Sequence, residues 1–145
     1  MIRKSHVVVG ALAALLMHGG AQAAATGVAG VWATPGEKSH VKIEPCGDKV
    51  CGTIVWLKEP NDENGSPKLD LRNEDENLRS RPIVGLPLLR GFEADGPNRW
   101  DGGRIYNPAD GKTYKSSMQL DDDSTLKVEG CVLIFCKAQT WVRVN

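Results

Sequence analysis

The chain has 145 residues, 41% of them hydrophobic and 25% charged, with 18 basic and 18 acidic side chains. A formal charge of zero argues against nucleic acid as a partner, because such proteins present a strong basic patch. The length suits a single domain that can bury a core of its own.

In chain order, the first feature is an export signal. Arg3 and Lys4 are basic, Val7 to Met17 is apolar, and Ala21-Gln22-Ala23 is a small-x-small cleavage site. These are the three parts of a secretory signal peptide. We therefore expect a signal over residues 1–23 and one mature domain over 24–145, in the periplasm or fully secreted. A spanning helix needs about 20 apolar residues, and this run stops at His18-Gly19-Gly20. No cysteine near the cleavage site offers a lipid attachment point, and no later segment reads as a membrane span.

Strand signals dominate the rest of the chain. Val41-Lys42-Ile43-Glu44 alternates apolar and polar, and Val50 to Leu57 is rich in β-formers. Lys58 to Arg81 is polar and broken by Pro60, Asn64-Gly65 and Pro67. One short helix is expected there, with Asn73 as its cap, Glu76 completing a capping box and Pro82 beyond its end. Arg104-Ile105-Tyr106 leads into Asn107-Pro108-Ala109-Asp110-Gly111, a strong turn signal. Thr113 to Leu120 then places Tyr114, Ser116, Met118 and Leu120 on one strand face. Asp121 to Ser124 is a further turn, and Thr125 to Gly130 and Phe135 to Val144 complete the set. Strands at this spacing predict an all-β antiparallel barrel or sandwich.

Cys46, Cys51, Cys131 and Cys136 form two C-x4-C pairs. In an exported chain an even count reads as disulfides. Gly47-Asp48 is a good hairpin turn inside the first pair, so the spacing favours Cys46–Cys51 and Cys131–Cys136. Closing so short a loop contributes about 2 kcal/mol in the chain-entropy model. The rival, a four-thiolate zinc site, uses closer pairs in reducing compartments.

Several stretches resemble the bacterial exported domain-of-unknown-function family 2147. They are Cys46-Gly-Asp-Lys-Val-Cys51-Gly-Thr-Ile-Val-Trp56-Leu, Trp100-Asp-Gly-Gly-Arg-Ile-Tyr106-Asn-Pro-Ala-Asp-Gly-Lys-Thr-Tyr114, and Leu126 to Cys131 running into Cys136-Lys-Ala-Gln-Thr-Trp141-Val-Arg143. Leu69-Asp70-Leu-Arg-Asn73 and Arg79 to Leu86 fit as well. The resemblance implies a small lipocalin-like β-barrel and supplies no catalytic residue. Gly30-Val31-Trp32 near the start and Arg143 on the last strand are similar to the pair that closes lipocalin-like barrels. There a guanidinium covers an indole in a cation–π contact, so Trp32 and Arg143 are expected to be structural.

Chemistry is sparsely supported. Outside the signal the one histidine is His40, which cannot build a multi-histidine metal site and is expected as a solvated strand residue. There is no G-x-S-x-G elbow, and Pro60 to Gly65 departs from a calcium loop at its first position. No catalytic residue, metal or cofactor is expected, and no enzyme. Asp70 stands out, set between Leu69 and Leu71 and followed by Arg79 and Arg81. A carboxylate drawn inward needs such a partner, either to pin the long connection or to anchor a pocket mouth. The leading expectation is a barrel that binds a small, partly apolar ligand, with Tyr106, Tyr114 and Met118 near the wall and Asp70 with Arg81 near the mouth. The alternative is a periplasmic protein-interaction or envelope-maintenance module, docking through the long loop or an open sheet edge.

Overall fold

The structure is a computed structural model and describes residues 25–144; the expected signal peptide lies outside the described residues. Eight strands run in sequence: β1 (Gly30–Ala33), β2 (Ser39–Cys46), β3 (Lys49–Leu57), β4 (Pro87–Ala94), β5 (Arg99–Asn107), β6 (Lys112–Asp122), β7 (Thr125–Val132) and β8 (Phe135–Arg143). Each pairs antiparallel with the next, and β8 returns to β1 through Trp32↔Arg143 and Ala33↔Val142. The expected all-β barrel is therefore present and closed. Closure leaves no unpaired edge in this sheet, so among the described residues the barrel offers no open edge for docking. Among the described residues no helix is long and apolar enough to cross a membrane.

The barrel's two ends differ. Because the strands alternate in direction, Asn107 to Gly111, residues 133–134 and the long connection 58–86 all emerge at one end. The Cys46–Lys49 hairpin, Asp121 to Ser124 and the chain entry at Ala25 to Ala29 gather at the other. That second end is plugged. Trp32 is fully buried and donates its indole N–H to Val28 O at 2.8 Å. The Arg143 guanidinium lies 4.1 Å from the Trp32 ring centroid. It donates to Ala29 O at 2.9 Å and also to Gly27 O and Asp123 O. Its flat face covers the indole while its edges donate to three backbone carbonyls, as the motif pair predicts. Above the plug, Val41, Ile43, Val50, Leu89, Phe92, Trp100, Met118, Leu126, Val128 and Trp141 pack a continuous core. Gly103 makes room for it: a Cβ there would meet the Phe92 ring at 2.5 Å.

Both disulfides form as the spacing favours, Cys46–Cys51 and Cys131–Cys136, and no cysteine is free among the described residues. They clip hairpins at opposite ends of the barrel. All four sulfurs are thus committed, which removes the zinc alternative. Glu129 stands close to the second pair, but bonded sulfurs offer no thiolate to a metal.

Three expectations need correction. Strand β4 has no counterpart among the expected strands, because Leu88 and Leu89 are adjacent and both buried, and Gly91 at φ 75° breaks the alternation with a register shift. The helix in the long connection is a single 3₁₀ turn, Glu76–Leu78, capped by Asp75, whose carboxylate accepts from Asn77 N–H. Asn73 is not its cap; its amide donates instead to the buried Asp70, a stronger charge-assisted bond. His40 is half-buried rather than fully solvated. A bulge after it and its cross-strand partner Trp56 stack the two rings with centroids 4.3 Å apart.

Candidate ligand site at the open end of the barrel

Packing stops short of the open end. Between β4–β8 and the start of the β1–β2 connection lies a cavity of about 600 Å³. Leu88, Ile105, Tyr114, Val128, Gly130 and Trp141 contribute apolar wall, and Thr34, Asn107, Asp110, Lys137 and Gln139 contribute polar groups. The space has a sequence cause. Gly130 pairs with Ser116 on β6, and a Cβ built on it would meet Ile105 and Tyr114 at ordinary contact distances, 3.5 and 3.8 Å. A side chain at 130 would therefore grow into the cavity, and glycine leaves it empty.

Tyr114 stands at the rim. Its hydroxyl donates to Asp110 across the β5–β6 turn. That bond holds the Tyr114 hydroxyl above its ordinary pKa. For Asp110, burial pushes upward, but the Tyr114 hydroxyl, the Lys112 backbone N–H, the Lys112 charge and Asn107 outweigh it and hold the carboxyl below its ordinary value. The mouth thus carries a fixed carboxylate beside an aromatic ring. Inside, the Trp141 indole donates to Gln139 Oε1 at 3.0 Å. An apolar wall with a few placed polar groups is the usual composition of a small-molecule site.

Met118 shares a strand face with Tyr114 and Ser116, as its alternation predicts, but lies deeper. It is 2% exposed within the core and does not reach the cavity. Two residues further along the face, the barrel has already filled.

Asp70 and Arg81 also lie off the cavity wall. Asp70 is completely buried. Its Oδ1 accepts from the Tyr106 hydroxyl at 2.6 Å, and its Oδ2 from Asn73 Nδ2 at 2.8 Å and from Arg81 Nε and an Arg81 terminal nitrogen at 2.9 Å each. Arg81 also covers the Tyr106 ring, 5.6 Å from its centroid. Of the two roles expected for the pair, these contacts describe the pin: the long connection is fastened to β5 through Tyr106. Desolvation by burial, with the bond to Asp70 and its charge, pushes the Tyr106 hydroxyl up to about 12. Tyr106 itself contributes to the cavity wall, so the pin and the cavity share this residue. A second fastening lies close by. Gly111, at φ 74°, sits where any Cβ would run into the Arg72 carbonyl.

Sequence reading thus brings forward Tyr106 and Tyr114 and misses Ile105, Val128, Gly130, Gln139 and Trp141. An isolated glycine inside a strand pattern is the one signal that could have drawn attention to position 130.

Comparison with known proteins agrees with this architecture. Residues 30–143 match the family model described as an uncharacterized protein conserved in bacteria, DUF2147. Among solved structures, HP1028 from the human pathogen Helicobacter pylori, described as belonging to the lipocalin family, superposes with a TM-score of 0.71 at 23% identity. The match covers 81% of this chain and 82% of that one. At that identity the likeness speaks for the barrel fold. No curated protein matches.

Proposed function

The chain belongs to the bacterial family DUF2147, and on that footing we propose that it is an exported carrier that binds a small, partly apolar ligand in the open end of its barrel. The observation that supports the reading is the cavity of about 600 Å³ kept open by Gly130 above a packed core. Volumes of this order accommodate small organic ligands. Ile105, Val128 and Trp141 would take the apolar part, and Tyr114 with Asp110 would orient a polar end at the mouth. Tyr106, held by Asp70, Arg81 and Asn73, keeps that wall in place rather than touching the ligand through its hydroxyl. Met118 supports the floor from below. The role is binding rather than catalysis, and two disulfides suit a periplasmic or secreted setting.

A fluorescent apolar probe tests the reading. Emission should rise on addition of the native protein, fall in Tyr114→Ala, and vanish in Gly130→Phe, whose ring would fill the cavity. Probe binding that survives Gly130→Phe in a folded variant would refute the site.

A further inference from the structure

The β7–β8 hairpin ends in an apolar tip that the barrel does not use. Val132 is 54% exposed, Leu133 89%, Ile134 87% and Phe135 75%. Monomeric proteins seldom present four consecutive large apolar side chains to water. A two-residue turn at this place favours glycine or asparagine, yet Leu133 occupies it at φ 53°. The Cys131–Cys136 disulfide closes the hairpin directly beneath. The tip is therefore convex, apolar and held in shape before it meets anything, so little ordering is needed on contact.

Charge beside the tip points to its partner. Cys131 lies opposite Lys115 on β6, Lys115 opposite Arg104 on β5, and Arg104 opposite Arg90 on β4. With strands about 4.8 Å apart, this basic row stays within about 15 Å of the disulfide. Lys137, opposite Gly130, adds a fourth cation. All four are exposed, and among the described residues none of them is in an ion pair with a carboxylate. The acidic groups nearby are Glu129, two residues before the disulfide, and Asp110 at the cavity mouth. A projecting apolar wedge flanked by unpaired cations is complementary to an anionic lipid surface, which offers acyl chains to the wedge and phosphates to the row. A protein partner would instead need a groove shaped to this tip.

We propose that the β7–β8 tip docks the protein onto anionic bilayers, with Val132 to Phe135 entering the interface and Arg90, Arg104, Lys115 and Lys137 meeting headgroups. This stands whether or not the cavity holds a ligand. It has a geometric corollary: Val132, Phe135 and Lys137 also line the cavity, so docking brings the mouth against the membrane.

Co-sedimentation with vesicles tests it, using the disulfide-intact protein as cells process it. Vesicles of phosphatidylcholine mixed with phosphatidylglycerol should pull the protein down, pure phosphatidylcholine much less, and added salt should weaken the binding. Leu133→Ser with Ile134→Ser should reduce partitioning at least about tenfold, since two large apolar side chains are withdrawn. Arg104→Glu with Lys115→Glu should abolish the preference for anionic lipid. Both double variants alter exposed side chains, so unchanged thermal melts should accompany these losses. No binding to anionic vesicles, or binding that the tip variant retains, overturns the proposal. So does tip-dependent self-association or crosslinking to a protein in the absence of vesicle binding.

Discussion

Tyr106→Phe removes one oxygen from the pin between the long connection and β5. In the native protein Asp70 Oδ1 accepts from that hydroxyl at 2.6 Å, while Arg81 and Asn73 both engage Oδ2. Without the hydroxyl, a fully buried carboxylate oxygen loses the partner described for it, and phenylalanine admits no replacement donor. A hydrogen bond to a charged group contributes about 1.5–3 kcal/mol, so we expect a loss of about 2 kcal/mol. For a domain of this size that is a fall in Tm of about 6–12 °C. The pH dependence identifies the cause. Tyr106 titrates near 12 in the fold, against about 10 in the unfolded chain. Below about pH 10 both states keep the proton, and the native protein's advantage over Tyr106→Phe is constant. Between about pH 10 and 12 the unfolded state alone gains by ionising, so the advantage should shrink across that window. Denaturant melts of both proteins from neutral to alkaline pH measure it. A neutral-pH difference under about 0.5 kcal/mol, well below the expected hydrogen-bond contribution, would refute the pin.

Trp32→Ala should cost about 3–5 kcal/mol, as large-to-small changes at buried aromatics do, and Arg143→Ala about 1–2 kcal/mol as its cation–π cover and carbonyl contacts go. Denaturant melts of the singles and the double should show less than the sum; strict additivity would mean the two side chains do not support each other. Gly111→Ala combines an unfavourable φ of 74° with a clash against the Arg72 carbonyl, at a cost of about 1–3 kcal/mol. Limited proteolysis within residues 58–86 should accelerate, and unchanged cleavage would mean that the turn does not hold the loop.

Legibility in the sequence tracks how local each feature is. Alternation marks β2, β3 and β6 because each has one wet and one buried face, and the C-x4-C spacings mark both disulfides because their partners lie across one turn. Trp32 and Arg143 are readable through a motif whose chemistry is specific. Strand β4 is not: its proline, its glycine bulge and two adjacent buried leucines match no single period. Asp70 announces itself by its apolar neighbours, yet its use as a pin depends on Tyr106, 36 residues away. No local pattern carries a pairing of that range. The cavity is hardest to foresee, because empty space is set by five strands at once. A missing side chain at Gly130 matters only when Ile105 and Tyr114 stand opposite.

The junction of β1 with β8 also sets the order in which this molecule can be assembled. Residues 32–33 pair with residues 142–143, so one of the earliest strands made waits for one of the last. Hairpins from β2 to β7 can form as the chain emerges into the compartment where it folds, since each pairs with a neighbour in the chain. The ring cannot shut, nor Arg143 reach the carbonyls of Gly27 and Ala29, until synthesis has passed residue 143. Until then the indole of Trp32 and the open strand edges stand exposed, a slow and aggregation-prone interval of the kind that non-local strand pairing imposes. A nascent chain arrested before β8 would hold most of its hairpins and lack a barrel.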